Sequence, residues 1–594
     1  MTYDYIVVGG GTAGLVVATR LTEDPDMRVL VVEAGADKSS DPLVLTPALG
    51  TSTVGNPEYD WAFRSTPQPN LLNRVIGQPR GKQLGGSAGI NLMVMMYPSR
   101  ENIDAWGRLG NKGWNWDTLE PYFHKMATVN PPGENARTVA GVDWYDPALG
   151  GGEGPLQVTW GEGYTENLQG AWVNAFNKLD LKMTGDPRSG SAIGGFQNMQ
   201  AIHPRTKTRS YPPTAWYNAA VRARENLVVM TGTLAKKIVT RWDEASNSVV
   251  ATGVIIQTAT GEEQLMHARR EVILAAGVFQ SPQILELSGI GQRALLESHK
   301  IPVVIENDNV GENLQDHAIV AQLFEIKDGV YSLDRLRDPD FRNQALMLFA
   351  TNGTGPLAQA QLASAYTPFM DLNGRMSTED VRAMLDAHLT KGEKKEYDVL
   401  REDMERANRN QVQYHLFPAT LTAPDASGNV PAFTTPHIAA MALLSHPFSR
   451  GSVHIVSDSV GDKPQWDPAF LSHPLDIEIL ARSIQFTEKI VSTAPFSDSL
   501  TGKRFPDVVG DTLEKAKDIV REVTISSFHP SGSLAMKPKA EGGVVDERLR
   551  VYGTKNVRVV DASVFPLEPS GNICATVYAV AERAADIIKE DGRQ

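Results

Sequence analysis

The stretch that most limits what this chain can fold into is Tyr5 to Glu33, YIVVGGGTAGLVVATRLTEDPDMRVLVVE. Tyr5-Ile6-Val7-Val8 is a short apolar run rich in β-branched residues, and it reads as a buried parallel strand. Gly9, Gly11 and Gly14 follow with the spacing G-x-G-x-x-G. Apolar residues then fall at helical spacing from Thr12 to Leu21, and Arg28 to Val32 forms a second strand ending on Glu33. Gly9 makes the tight turn, Gly11 lets the backbone approach a pyrophosphate, and Gly14 lets helix and strand pack. The helix N-terminus offers free N–H groups and a partial positive charge to the phosphates. Glu33 accepts hydrogen bonds from an adenosine ribose. Thr12 and Ala13, beside the glycines, and Ala34, after the acid, are assigned to the same dinucleotide site.

With 41% apolar and 21% charged residues in 594, the chain has the make-up of a soluble globular protein with a large core. Its length allows about three or four domains, or one large elaborated fold. A net charge of −13 argues against nucleic acid or an anionic membrane as partner. Cys574 is the single cysteine, so no internal disulfide framework exists. No apolar run is long enough for a membrane span, and no metal site is expected. The first strand begins at residue 4 or 5, which leaves no room for a signal peptide as numbered. The expectation is a cytoplasmic protein, with a secreted protein numbered from its mature end as the alternative. The lone sequon Asn352-Gly353-Thr354 carries little weight in so long a chain.

After Ala34-Gly35 the periodicity is lost to about residue 75, yet Trp61, Phe63 and several leucines give the excursion something to bury. Arg80 to Asn91, RGKQLGGSAGIN, precedes an apolar segment and suggests a backbone brought close to a ligand. Gly113-Trp114-Asn115-Trp116-Asp117 leads into a helix bearing Leu119, Tyr122 and Phe123. Residues 130–165 read as a loop-rich crossing, and a helix is expected near 166–178. Residues 227–257 alternate like strands, and Glu271 to Ala276 reads as another buried strand. From Gly277 to Gly291 the pattern gives a turn, a short helix begun at Ser281-Pro282 and a glycine-rich exit. Asn309 to His317, NVGENLQDH, closes this half.

From 318 to 515 the character changes. Charged helical stretches (Glu379–Leu385, Lys391–Arg406) alternate with strand patterns at 411–417, 437–444 and 451–456. Near the end a strand Val557–Val560 leads to Asp561, and a helix spans Thr576–Lys589. The expected fold class is α/β, or α+β overall. A nucleotide domain is assembled from residues 1–155, 200–317 and 516–594. A second domain, 156–199 and 318–515, carries a mainly antiparallel sheet covered by helices.

The opening motif with Glu33, the runs 80–91 and 277–291, and the pattern around His529 together resemble the glucose-methanol-choline oxidoreductases, which bind FAD. The likeness spans almost the whole chain, in the family's order. Ala88, Met95 and Val278 depart from the commonest choices at their positions, but all are small or apolar. The resemblance implies a Rossmann-like FAD-binding domain. In it the loop from Gly85 through Ser87 to Asn91 lies along the flavin ring, with Asn91 near the reactive edge. It places Trp114 beside the isoalloxazine or ribityl chain, and Asp561 and Ala562 against the pyrophosphate or ribityl chain. Members that bind FAD covalently carry a histidine where this chain has Ile90, so non-covalent FAD is expected.

The same resemblance makes His529, in Ser527-Phe528-His529-Pro530-Ser531-Gly532, the base that takes the alcohol proton while hydride leaves for flavin N5. A neutral imidazole near its ordinary pKa of about 6.5 suits that task. Asn572, in Ser570-Gly571-Asn572-Ile573, holds the substrate oxygen. The pair is similar to that of oxidases of small primary alcohols, choline or hydroxymethyl aromatics. Phe528 beside the base, with Met93-Val94-Met95-Met96, resembles fungal aryl-alcohol oxidases. The expected activity is oxidation of a primary alcohol, apolar or aromatic, with O2 or another acceptor reoxidising the flavin. A sugar oxidoreductase and a non-redox lyase or cyclase that keeps FAD as structure are the alternatives.

Overall fold

The structure is a computed structural model. It describes all residues except 140, 161–165, 359–362, 407–408, 423, 425–426 and 594.

The opening strand, Thr2–Val8, is buried along almost its whole length and sits at the centre of a seven-stranded sheet. Val29–Val32 pairs parallel to one side of it, with Leu227–Met230 beyond. The strand Glu263–Leu274 pairs parallel on its other side. Val557–Val559, almost three hundred residues later, joins parallel at Val272, Ile273 and Leu274. The parallel strands are apolar at successive positions because helices and loops cover both faces. Their carboxyl ends converge on one edge, where Gly9, Glu33, Ala275 and Asp561 emerge. Open parallel sheets bind ligands in that crevice.

Two expected boundaries move. The strand predicted at Glu271–Ala276 is the end of a longer one, Glu263–Leu274, whose first half pairs antiparallel with Ser248–Gln257. The helix expected from Ser281-Pro282 begins at Gly277 and runs to Leu287, with Pro282 inside it. Its first turn is capped from elsewhere in the chain. The Asp561 carboxylate accepts from the Gly277 N–H (2.9 Å) and from the Ser281 hydroxyl (2.6 Å). No local pattern could have announced a cap supplied 284 residues away.

The second sheet is antiparallel and also seven-stranded. Its order is Leu500–Phe505, Ala318–Ile326, His437–Leu444, Val412–Phe417, Ala363–Thr367 and Gly194–Gln197, with Thr524–Ser526 also paired to Ala318–Ile326. Its outer face rests on the helices Glu166–Lys178 and Pro474–Ser492. Tyr414 of the sheet packs there against Phe176 and Phe486. Its inner face carries Ile319, Ala321, Phe417, Met441 and Leu443. The helix Pro474–Ser492 is the longest, yet its pattern was not read from the sequence. It is buried nearly all round, and Asp476, Ser483, Thr487 and Glu488 inside it dilute the apolar stripe that would announce it. The expected crossing at 130–165 contains a short helix, Glu134–Thr138, and a strand, Leu156–Trp160. Residues 140 and 161–165 of that crossing lie outside the described residues. Among the described residues no helix is long and apolar enough to cross a membrane, and no cluster of three or more His, Cys, Asp or Glu could hold a metal ion.

Candidate active site

Between the two sheets lies a cavity of about 860 Å³. Gly9, Gly11, Thr12, Ala13, Glu33 and Ala34 line one end of it. The three opening glycines are bare for different reasons. Gly9 has φ +103°, and a Cβ there would stand 2.4 Å from the Ala275 carbonyl oxygen. At Gly14 a Cβ would stand 1.9 Å from the Gly9 oxygen, so this glycine serves packing behind the cavity wall. At Gly11 nothing in the protein comes closer than 3.8 Å. The space that a Cβ would enter at Gly11 is the cavity itself. Glu33 is buried and accepts from the Gly10 N–H (2.9 Å) and the Gly35 N–H (2.7 Å). Burial pushes its carboxyl up to about 7, although both amides favour the charged form.

The Gly85–Asn91 loop forms a second wall through Gly86, Ser87, Ala88, Ile90 and Asn91. Gly85 does not reach the cavity. Its N–H donates to the Gly10 carbonyl (2.8 Å), and a Cβ would meet the Tyr211 ring at 2.7 Å. Arg209, fully buried, pins the loop from behind by donating to the carbonyls of Val44, Ala88 and Asn91 and to Asn91 Oδ1. Asp561 and Ala562 line the cavity, though the Asp561 carboxylate is occupied by the helix cap and by the Ser563 N–H (2.8 Å).

Trp114 requires correction. Its ring lies away from the cavity, its indole N–H donates to the Glu547 carbonyl (2.8 Å), and it packs beside Trp106 under the Arg583 guanidinium. It anchors the helix Trp116–Met126 against the C-terminal helix Cys574–Asp591. Met93, Met95 and Met96 are also core residues, whereas Leu92 and Val94 between and before them line the cavity.

At the far end the chain brings His529 and Asn572 together, with Asn572 Nδ2 3.1 Å from His529 Nε2. The turn that aims the imidazole is strained: Phe528 has φ +63°, a conformation a bulky side chain rarely adopts. Three partners hold it. The Phe528 N–H donates to Ser526 Oγ (2.7 Å), Arg80 Nη2 donates to the Phe528 carbonyl (2.5 Å), and the His529 N–H donates to Asp316 Oδ1 (3.1 Å). As a result the Phe528 ring stands at the cavity wall, 37% exposed, and the imidazole turns inward. His529 Nδ1 lies 3.1 Å from His317 Nδ1, and His317 Nε2 lies 3.1 Å from the Ser445 carbonyl. Burial, with neighbouring positive or histidine groups, holds His529 well below its ordinary value and His317 down to about 3. Both rings are neutral at neutral pH. Asn572 Oδ1 is buried without a hydrogen-bond partner among the described residues. Arg80, Arg209, Asp316 and His317 had no assigned role in the sequence reading. The Arg80–Asn91 and Asn309–His317 runs contain Arg80, Asp316 and His317, while nothing in the sequence points to Arg209.

The remaining wall is mainly apolar, with Leu92, Val94, Leu333, Leu336, Phe417, Leu421 and Met441, but Asp334, Arg337, Arg342 and Thr420 also line it. A cavity with a dinucleotide crevice at one end, a glycine-rich wall along it, and a neutral imidazole at the other suits FAD. The open space at Gly11, the buried carboxylate of Glu33 and the orphaned Asn572 Oδ1 are the features that fit it.

Comparison with known proteins agrees. Residues 3–319 match the N-terminal part of the GMC oxidoreductase family and residues 447–581 its C-terminal part. The chain is 36% identical to a dehydrogenase of Monascus ruber, citC, over 99% of this chain and 96% of the relative. It is 31% identical to a GMC oxidoreductase family protein of Malassezia sympodialis, Mala s 12, over 99% and 92%. Among solved structures, an FAD-dependent oxidoreductase from Chaetomium thermophilum superposes with a TM-score of 0.86 at 29% identity, covering all of both chains. A fungal aryl-alcohol oxidase superposes with 0.83 at 26%, covering 100% of this chain and 99% of that one. The chain therefore belongs to the GMC oxidoreductase family and is an FAD-dependent oxidoreductase.

Proposed function

We propose that the protein oxidises a primary alcohol of apolar or aromatic character to the aldehyde, using FAD held without a covalent bond. The observation that carries this reading is the neutral, buried His529 imidazole, with Asn572 at 3.1 Å, facing a cavity whose wall is mainly apolar. FAD, when bound, supplies the acceptor for the carbinol hydride. His529 Nε2 takes the hydroxyl proton, which raises electron density on the carbinol carbon. Asn572 Nδ2 donates to the substrate oxygen and keeps that hydroxyl pointed at the base. Phe528, with Phe417, Met441 and Leu421, excludes water and favours an apolar group beside the carbinol. Glu33 and the Gly9–Gly14 turn hold the nucleotide end. Ile90 stands in the wall where a covalent link would need a nucleophile, which supports non-covalent binding.

The test is an alcohol panel added under anaerobic conditions, with benzyl-type, aliphatic and sugar alcohols in parallel. Benzyl-type alcohols should bleach the flavin fastest, and O2 or an artificial acceptor should restore its colour. A panel in which only sugars, or no alcohol at all, bleach it would overturn the reading. Acid precipitation should leave yellow FAD in the supernatant.

A further inference from the structure

His529 has two ring nitrogens, and the reacting pair uses one of them. The other meets His317, which comes from the end of the Asn309–His317 run, just before the strand Ala318–Ile326 of the second sheet. The donor and acceptor roles along this contact are forced. The Ser445 carbonyl can only accept, so His317 Nε2, 3.1 Å away, carries a hydrogen. A neutral His317 then has a bare Nδ1. That nitrogen faces His529 Nδ1 at 3.1 Å, which must therefore carry the hydrogen between them. His529 Nε2 is left with its lone pair, directed at Asn572 and the cavity.

We propose that His317 is a positioning residue that fixes the tautomer of His529, so that the nitrogen facing the substrate is always the one able to accept a proton. This rests on the reading of His529 as the base. Which nitrogen of a histidine is protonated is set by the hydrogen bond made by the other, and here that bond leads to a backbone carbonyl that cannot change its role. The surroundings keep the arrangement neutral. His317 and His529 are faced by the Asp316 carboxyl, the Arg80 guanidinium, the Glu568 carboxyl, and His415 and His446. Glu568 is the one group placed to compete for His317 Nδ1. Its nearer oxygen is 3.8 Å away, beyond hydrogen-bond range, and burial beside Asp316 holds its carboxyl well above the usual carboxylate range, which weakens any pull toward a second proton on His317.

The experiment reads the tautomer directly. In protein labelled with 15N-histidine, the long-range 15N–1H correlations of His529, assigned by their loss in His529→Gln, should show hydrogen on Nδ1 and none on Nε2. His317→Leu should lose this tautomer and, with FAD retained and half-saturation by alcohol unchanged, slow the limiting rate of flavin reduction about a hundredfold. His317→Asn offers an accepting Oδ1 near the original Nδ1. It should keep the tautomer and recover at least about tenfold of that rate. Hydrogen on Nε2 in the wild-type protein, or a His317→Leu enzyme reducing flavin at the wild-type rate, would overturn the proposal. Should His317→Leu fail to fold, the wild-type spectrum and His317→Asn still decide it. Should no alcohol reduce the flavin, the function fails but the tautomer measurement stands by itself.

Discussion

The two ends of the cavity are built in different ways. At the nucleotide end, Gly9, Gly11, Thr12, Ala13, Glu33 and Ala34 come from one βαβ unit, and their geometry follows from spacing along twenty-six residues. At the reacting end, Arg80, Asp316, His317, Ser445, Phe528, His529 and Asn572 come from five separate stretches, and no two of those stretches share a secondary-structure element. The first is a local solution that a chain of a few dozen residues can hold. The second exists only once both sheets are in place, so its groups are exact in position but fragile in dependence. A binding crevice tolerates that economy because helix dipole and backbone amides do much of its work. A site that transfers a proton, as proposed for His529, cannot, because a base displaced by about 1 Å loses on the order of a hundredfold in rate.

The sharpest way to break this contrast is His529→Ala. It should retain FAD and the wild-type melting temperature, and lose on the order of 10² to 10⁴ in anaerobic flavin reduction followed by stopped flow. Equal loss of FAD would mean the two ends are not separable. Asn572→Ala removes one donor and leaves the base. A fall of about tenfold to a hundredfold in the same measurement is expected, roughly 1–3 kcal/mol.

Within the nucleotide end, the glycines should divide. Gly14→Ala forces a Cβ against the Gly9 oxygen and should destabilise even the FAD-free chain, by about 1–3 kcal/mol in denaturant unfolding. Gly11→Ala should leave FAD-free stability unchanged and weaken only FAD binding. Matching unfolding midpoints for the two variants would refute the division. The smallest effect belongs to Glu33. Ribose hydroxyls donate best to the charged carboxylate, and burial raises that carboxyl to about 7. FAD affinity measured by fluorescence quenching should therefore fall as pH drops through about 7, by up to roughly tenfold, and rise to a plateau above it. Glu33→Gln should flatten the dependence.

The same contrast explains what could be read in advance. The Gly9–Glu33 unit, the pairing of His529 with Asn572 and the α/β class were legible because each is carried by a contiguous motif or a family pattern. The start of the helix at Gly277 was not, because its cap is the carboxylate of Asp561. His317 carries no local signal, because a histidine gains a role only from what it meets, and Ser445 and His529 are 128 and 212 residues away. Trp114 was placed on the flavin by resemblance, whereas its burial against Trp106 and Arg583 makes it a packing residue. Nothing in the spacing around it separates those two fates.

The late strand Val557–Val559 has a consequence for how the protein is made. Its neighbours in the sheet are complete by residue 274, but Asp561, which caps the Gly277–Leu287 helix, and Asn572, which closes the proposed reacting end, leave the ribosome almost three hundred residues later. Domains generally fold as they are synthesised, from the N-terminus. The glycine turn and its sheet neighbours are thus synthesised by residue 274 and wait through almost three hundred further residues for the floor of their site. Cofactor loading then waits on the assembly of both sheets. Polypeptides released at residue 550 should emerge colourless from a translation extract supplied with FAD, and those extended through residue 594 yellow. Colour in the shorter chain would show that the crevice closes without its last strand.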